Sequence, residues 1–150
     1  MTQSSTGDLT IVREIDIKAP AARVFAAISD PDELIQWWGD GDSYRCTAME
    51  SDLRVGGAWR TTGISKNGEP FAVHGTYTVV DPPSVLEYTW NYDWSTRDSP
   101  ETLVRYELTE REGTTRLRLI HSGFVDREGY DGHNDGWERV FSWLTAYVER

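Results

Sequence analysis

At 150 residues the chain has room for one domain around one hydrophobic core. Its net charge of -10 argues against nucleic acid and anionic membrane surfaces as partners, because both select basic faces. A single cysteine, Cys46, excludes an internal disulfide and a cysteine-rich zinc site.

The opening MTQSSTGD has neither the basic region nor the apolar run of a signal peptide, and no stretch approaches the roughly 18 apolar residues of a membrane span. A cytoplasmic protein without a membrane span is therefore expected. Residues 1–8 are small and polar and predict a flexible tail ahead of a domain over 9–150. Leu9, Ile11, Ile15 and Ile17 alternate with Thr10, Glu14, Asp16 and Lys18, the period of a half-buried strand. Ala19-Pro20 ends it, and Pro20 suits the opening of a helix because its nitrogen needs no hydrogen bond there. Ala21 to Ile28 predicts a short helix with Val24, Phe25 and Ile28 on one face. Asp30 is placed to cap a second helix, about Asp32 to Trp37, which runs into the acidic loop Trp38-Gly39-Asp40-Gly41-Asp42.

From Ser43 to Ser122 strands are predicted near 43–50, 57–64, 70–80, 84–91, 101–110 and 114–122. Turn chemistry separates most of them: Val55-Gly56-Gly57, Lys66-Asn67-Gly68, Asp81-Pro82-Pro83 and Glu112-Gly113. The loop Asp93 to Pro100 is longer and polar, and is expected to be mobile. Short connections imply antiparallel neighbours. Parity places Phe71, Val73, Gly75, Tyr77 and Val79 on one face, and likewise Leu86, Tyr88 and Trp90, then Val104, Tyr106 and Leu108, then Leu117, Leu119 and His121. One apolar face per strand means a sheet covered on one side. The cover is a terminal helix, with Asp131 as the expected cap and Trp137, Val140, Phe141, Leu144, Tyr147 and Val148 in one stripe. The fold class is α+β: seven antiparallel strands and one long helix across them.

This order of elements resembles the START-like (SRPBCC, helix-grip or birch-pollen-allergen-like) superfamily. The detailed residues are similar to one branch of it, the bacterial homologues of the heat-shock-protein-90 ATPase activator. The stretches that carry the likeness include Ile17-Lys18-Ala19-Pro20 with Val24-Phe25, Ser29-Asp30-Pro31 through Trp37-Trp38, Val55-Gly56-Gly57, Gly75 with Tyr77, Pro82-Pro83, Leu86 with Trp90, His121-Ser122-Gly123-Phe124 and Gly136-Trp137. Where relatives often carry Pro after the Trp pair, this chain has Gly39-Asp40-Gly41-Asp42. The resemblance implies a curved seven-stranded sheet and two short helices wrapped around a long C-terminal helix. It also implies a cavity between sheet and helix that takes apolar small molecules or lipids in many members, while some relatives are cyclases, dehydratases or hydrolases. Single-domain relatives often pair, so the resemblance leaves a homodimer open.

Seven Trp and seven Tyr are a heavy load for this length and favour a large core or a binding pocket. Trp37, Trp38, Trp59, Tyr77, Tyr88, Trp90, Tyr106, Trp137 and Phe141, with Phe124 from the stretch after His121, are candidates to line a cavity; filling the core is their alternative role. His121 shares an apolar face with Leu117 and Leu119, where an imidazole can bind a ligand oxygen, serve as general acid or base, or be a satisfied core histidine. Arg13, between Ile11 and Ile15, needs a buried acceptor, either a ligand carboxylate or a partner within the protein.

Other chemistry finds little support. Asp131-Gly132-His133-Asn134-Asp135-Gly136 has a faint calcium-loop spacing, but His133 replaces an oxygen ligand and Ser142 stands where the bidentate Glu belongs. His74, His121 and His133 form no three-ligand zinc pattern, and no Gly-x-Ser-x-Gly elbow or phosphate-cradling glycine loop occurs. Cys46 reads as inert packing. No metal and no cofactor are expected. Three functions stay open: a binder of a small apolar or aromatic molecule, lipid-like or polyketide-like; an enzyme of the cyclase, dehydratase or hydrolase type with His121 as acid-base group; and a chaperone-accessory interaction module, for which the chain has no room for the additional domain of better-known relatives.

Overall fold

The computed structural model describes residues 9–39, 44–92 and 101–150; the predicted tail, the acidic loop beyond Gly39 and the 93–100 loop lie outside them. Seven strands form one sheet: β1 (Ile11–Ile17), β2 (Tyr44–Ser51), β3 (Ala58–Ser65), β4 (Pro70–Asp81), β5 (Val85–Tyr92), β6 (Thr102–Arg111) and β7 (Thr114–Ser122). The order is β1-β7-β6-β5-β4-β3-β2, antiparallel throughout, so β1 crosses the whole sheet sequence to close one edge beside β7. Two short helices, α1 (Ala21–Ser29) and α2 (Pro31–Trp37), fill the connection from β1 to the far edge, and α3 (Arg127–Glu149) covers the concave face. Among the described residues no helix is long and apolar enough to cross a membrane.

Local chemistry sets these boundaries. Pro20 precedes α1 with no side chain to cap it, so Glu110 of β6 reaches across and accepts from the Ala21 N–H at 2.8 Å. Asp30 caps α2 by accepting from the Asp32 N–H at 2.9 Å, and Pro31 supplies the first helical residue. The long helix starts earlier than its apolar stripe suggests. Its cap is Asp126, which accepts from the Gly129 N–H at 2.8 Å, and Asp131 lies inside the helix. The first turns are rich in glycine and charge, which hides their helicity from periodicity; the cap and the packing of Tyr130 on Phe124 hold them.

Two bulges change the parity of side chains. In β4 the register shifts between Tyr77 and Val79, so Val80, opposite Leu86, packs on the core where simple alternation predicts Val79. In β2 it shifts between Cys46 and Ala48, which explains the strand's mixed polarity: Tyr44 and Cys46 face inward, then Met49. The core under α3 contains Ile11, Ile17, Val24, Leu86, Val104, Tyr106, Leu117, Leu119 and Leu144, all nearly or wholly inaccessible. The opposite face is wet. There Arg105 pairs with Glu87 at 3.0 Å, and the more exposed Arg116 with Asp16 at 3.0 Å, where solvent screens the charges.

Candidate functional site

Between the β2–β5 half of the sheet, the α1–α2 pair and the first half of α3 lies a pocket of about 430 Å3. A volume of that order suits a small organic ligand. Its wall is dominated by Trp38, Trp59, Tyr77, Tyr88, Trp90 and Trp137, with Cys46, Met49 and Val73 filling in from the strands. Trp90 sits at the centre of the aromatic set, its ring centroid 5.6 Å from Trp59, 6.3 Å from Trp137 and 6.4 Å from Trp38.

Each wall residue is placed by a local device. Gly75 of β4 has no side chain because the Trp59 indole crosses over it; a Cβ there would stand 2.7 Å from the Trp59 nitrogen and 1.8 Å from the Thr89 carbonyl oxygen. The indole N–H donates to that carbonyl at 3.2 Å, which holds the ring against the sheet. At one side of the pocket Trp38 Nε1 donates to the Tyr44 hydroxyl at 2.8 Å, and lower down Tyr77 and Ser51 share a 2.7 Å hydroxyl contact. On the helical wall Gly129, Gly132 and Gly136 fall at helical spacing, and a Cβ on Gly132 or Gly136 would meet nothing within 4 Å. At these glycines the α3 backbone is bare, while His133, Trp137 and Val140 of the same helix present side chains to the pocket.

His121 is fully buried beside the pocket, not in its wall, and both its ring nitrogens are bonded. Trp137 Nε1–H donates to Nδ1 at 3.0 Å. An indole only donates, so Nδ1 carries the lone pair and Nε2 the proton, which goes to the Thr102 hydroxyl at 2.7 Å. Burial, with His133 nearby, pushes the His121 pKa well below the ordinary histidine value, so the ring is neutral. Its proton is locked between protein groups.

The remaining predicted residues separate into two sets. Trp38, Trp59, Tyr77, Tyr88, Trp90 and Trp137 border the pocket, whereas Trp37, Tyr106, Phe124 and Phe141 pack away from it. Trp37 donates its indole N–H to the Ala27 carbonyl at 3.0 Å, and Phe124 covers His121 with ring centroids 4.6 Å apart. Arg13 takes an internal partner, its Nε donating to Asn134 Oδ1 of α3 at 3.0 Å, which ties the edge strand to the helix.

His133 is the wall residue that sequence reasoning passed over, along with Tyr44 and Tyr92. Its Nδ1 lies 2.9 Å from the Gly129 carbonyl, which can only accept, so that nitrogen bears the proton and Nε2 is an acceptor. Burial lowers its pKa, partly offset by that carbonyl. A histidine four residues after a glycine in a helix was the available signal, but its direction depends on where the helix begins. Cys46 also borders the pocket, with burial pushing its thiol up to about 12, far from a reactive thiolate. Among the described residues no three His, Cys, Asp or Glu side chains converge as a metal site, and Asp131–Gly136 form helical turns, not a loop.

The family described as Activator of Hsp90 ATPase homolog 1-like protein matches residues 18–149. The chain belongs to this family. Solved structures carry the same architecture: a protein from Chromobacterium violaceum is 26% identical with a TM-score of 0.85, over 95% of this chain and 99% of that one. The AHSA1 protein from Silicibacter pomeroyi is 28% identical with a TM-score of 0.80, over 93% of this chain and 96% of its own. CalU16 from Micromonospora echinospora, at 23% identity and a TM-score of 0.71 over 93% of this chain and 75% of that one, shares the fold. No curated protein matched the chain. Within the family fold, the helix-grip arrangement of sheet and terminal helix is what creates the space that the aromatic residues surround.

Proposed function

We propose that this family member binds a small, flat, largely apolar or aromatic molecule, lipid-like or polyketide-like, in the pocket between sheet and α3. The observation that carries this reading is the aromatic wall around about 430 Å3 of space, in a chain whose other half packs densely. Protein interiors close gaps when they have no use for them, because a dry void forfeits dispersion contacts. Here the chain keeps helix-weakening glycines on the very face of α3 that borders the space. An enzymatic role through His121 draws no support from its geometry, since both nitrogens are held by Trp137 and Thr102.

Native mass spectrometry of freshly purified protein, with extraction of anything that co-purifies, tests the reading together with titration of flat aromatic probes followed by tryptophan fluorescence. Saturable one-to-one binding that protects the fold against heat is the expected outcome. Failure of every two- to four-ring probe to bind, with a clean apo mass, would refute it.

A further inference from the structure

Among the described residues, two side chains of fixed charge border the aromatic pocket, Glu128 and Arg139, and both belong to α3. They lie about three turns apart, roughly 16 Å along the helix axis, so the helical wall is acidic towards one end and basic towards the other. Arg139 is exposed, and among the described residues it forms no ion pair. Asp135 stands one turn earlier on the same helix, a spacing at which acid and base commonly meet, yet the two do not pair. In a chain of net charge -10, a guanidinium free of carboxylates beside an apolar pocket runs against the prevailing sign.

The neighbour of Arg139 in the wall is Tyr44 of β2. Burial raises the Tyr44 pKa, while the hydrogen bond from Trp38 and the charge of Arg139 hold it down, so the guanidinium lies within electrostatic reach of the hydroxyl. Packing fixes this proximity: the Tyr44 ring meets Trp143 edge to face at 5.8 Å, and Trp143 follows Arg139 by one helical turn. The Tyr44 oxygen accepts from Trp38 Nε1 at 2.8 Å, and an indole only donates, so the phenolic proton is not used in that bond. Among the described residues no acceptor takes that proton. Arg139 and Tyr44 therefore both call for an acceptor, and a carboxylate supplies two oxygens and the opposite charge.

Resting on the pocket reading above, we propose that the ligand is an apolar carboxylic acid whose body lies among Trp59, Tyr88 and Trp90 while its carboxylate meets Arg139 and the Tyr44 O–H. Glu128 at the other end of the helical wall repels the same charge and so favours one orientation of the acid. An amine is turned away from the Arg139 end, and a hydrocarbon leaves both donors to water.

The test uses the full chain at low salt and three probes with one ring system: anthracene-2-carboxylate, anthracene-2-carboxamide and anthracene, with affinities from fluorescence titration or calorimetry. In a merely greasy cavity the carboxylate binds worst, because its charge must leave water and the protein's own charge repels it. Recognition by Arg139 and Tyr44 reverses that order, with the carboxylate about tenfold tighter than the amide. Added salt should erode the advantage, since an exposed charge pair is screened. Arg139→Gln should abolish the preference while keeping anthracene affinity within about twofold, because it removes the charge and little of the apolar wall. Arg139→Lys keeps the charge without the planar fork and should retain part of the preference. Tyr44→Phe should weaken the carboxylate and the amide alike, since each carries an oxygen for the phenol. A wild-type protein that binds the amide or anthracene as tightly as the carboxylate overturns the acid assignment and leaves the pocket reading standing. A carboxylate preference that survives Arg139→Gln also overturns it. Absence of binding by all three probes overturns both.

Discussion

The two halves of the concave sheet face are built from different residues and end in different states. The half formed by β1, β7 and β6 is filled by Ile11, Ile17, Val104, Leu117 and Leu119 with Leu144 of α3, and is closed. The half formed by β5 to β2 carries Tyr88, Trp90, Tyr77 and Trp59, and encloses space. Branched aliphatics interdigitate at crystal-like density, whereas rigid rings tilted against one another leave gaps between their planes. His121 and His133 mark the border, with centroids 5.1 Å apart. The first is satisfied at both nitrogens within the protein; the second is bonded at Nδ1, and its Nε2 is buried without a hydrogen-bond partner among the described residues.

This contrast can be broken most forcefully in the closed half. Leu119→Ala, at a wholly inaccessible site, should cost about 2–5 kcal/mol in urea unfolding and leave probe binding by the surviving folded protein unchanged. A cost below about 1 kcal/mol would mean that this half is not densely packed either. At the border, His121→Leu leaves the Trp137 indole and the Thr102 hydroxyl without their partner, for an expected loss of about 2–4 kcal/mol. A nearly neutral result would show that the triad is not a stabilising unit.

Acidification sharpens the same border. Both histidines have folded pKa values below the ordinary 6.5, so between those values and 6.5 the unfolded chain binds more protons and stability rises with pH. Their contribution is thus complete above about pH 6.5 and is lost as the pH falls below it, by up to about 1.4 kcal/mol per pH unit for each fully titrating histidine. The net charge of -10 acts in the opposite direction, because acid relieves self-repulsion. The useful measurement is therefore the difference in unfolding free energy between wild type and His121→Leu at pH 7.5 and 5.5. That difference should shrink at the lower pH, and a constant difference would contradict a neutral His121.

The smallest effect belongs to the open half. Gly136→Ala removes a weak helix former where a Cβ meets open space, and should raise stability by about 0.5–1 kcal/mol. It should also weaken probe binding, because the methyl enters the space beside Trp137. Stabilisation with unaltered binding would show that the bare α3 face is not part of the site.

Much of this was legible in the residues. Alternation and the turn residues between them located the seven strands, Asp30 and Pro31 announced the second helix, and the stripe from Trp137 to Val148 identified the helix that covers the sheet. The site was legible as a composition of aromatics, not as a geometry. Six of the predicted aromatics border the pocket and four do not, and parity gives Tyr106 the same inward face as Tyr88. What separates such residues is their position across the sheet, which one strand's pattern does not contain.

What the sequence determined by itself is whatever depends on neighbours along the chain: the period of each strand and helix, the cap at Asp30, the turns at glycine and proline, and the family likeness of the whole. What only the tertiary structure decided depends on partners distant in the chain. The bulges in β2 and β4 bring Met49 and Val80 inward, and Asp126 starts α3 early enough to turn His133 towards Trp90. Trp137 and Thr102 close on His121 and exhaust its nitrogens, while among the described residues no hydrogen-bond partner meets His133 Nε2. A histidine's availability is a matter of which hydrogen-bonding groups arrive at each nitrogen, and those groups come from strands and helices that meet only when the sheet has curved around the helix.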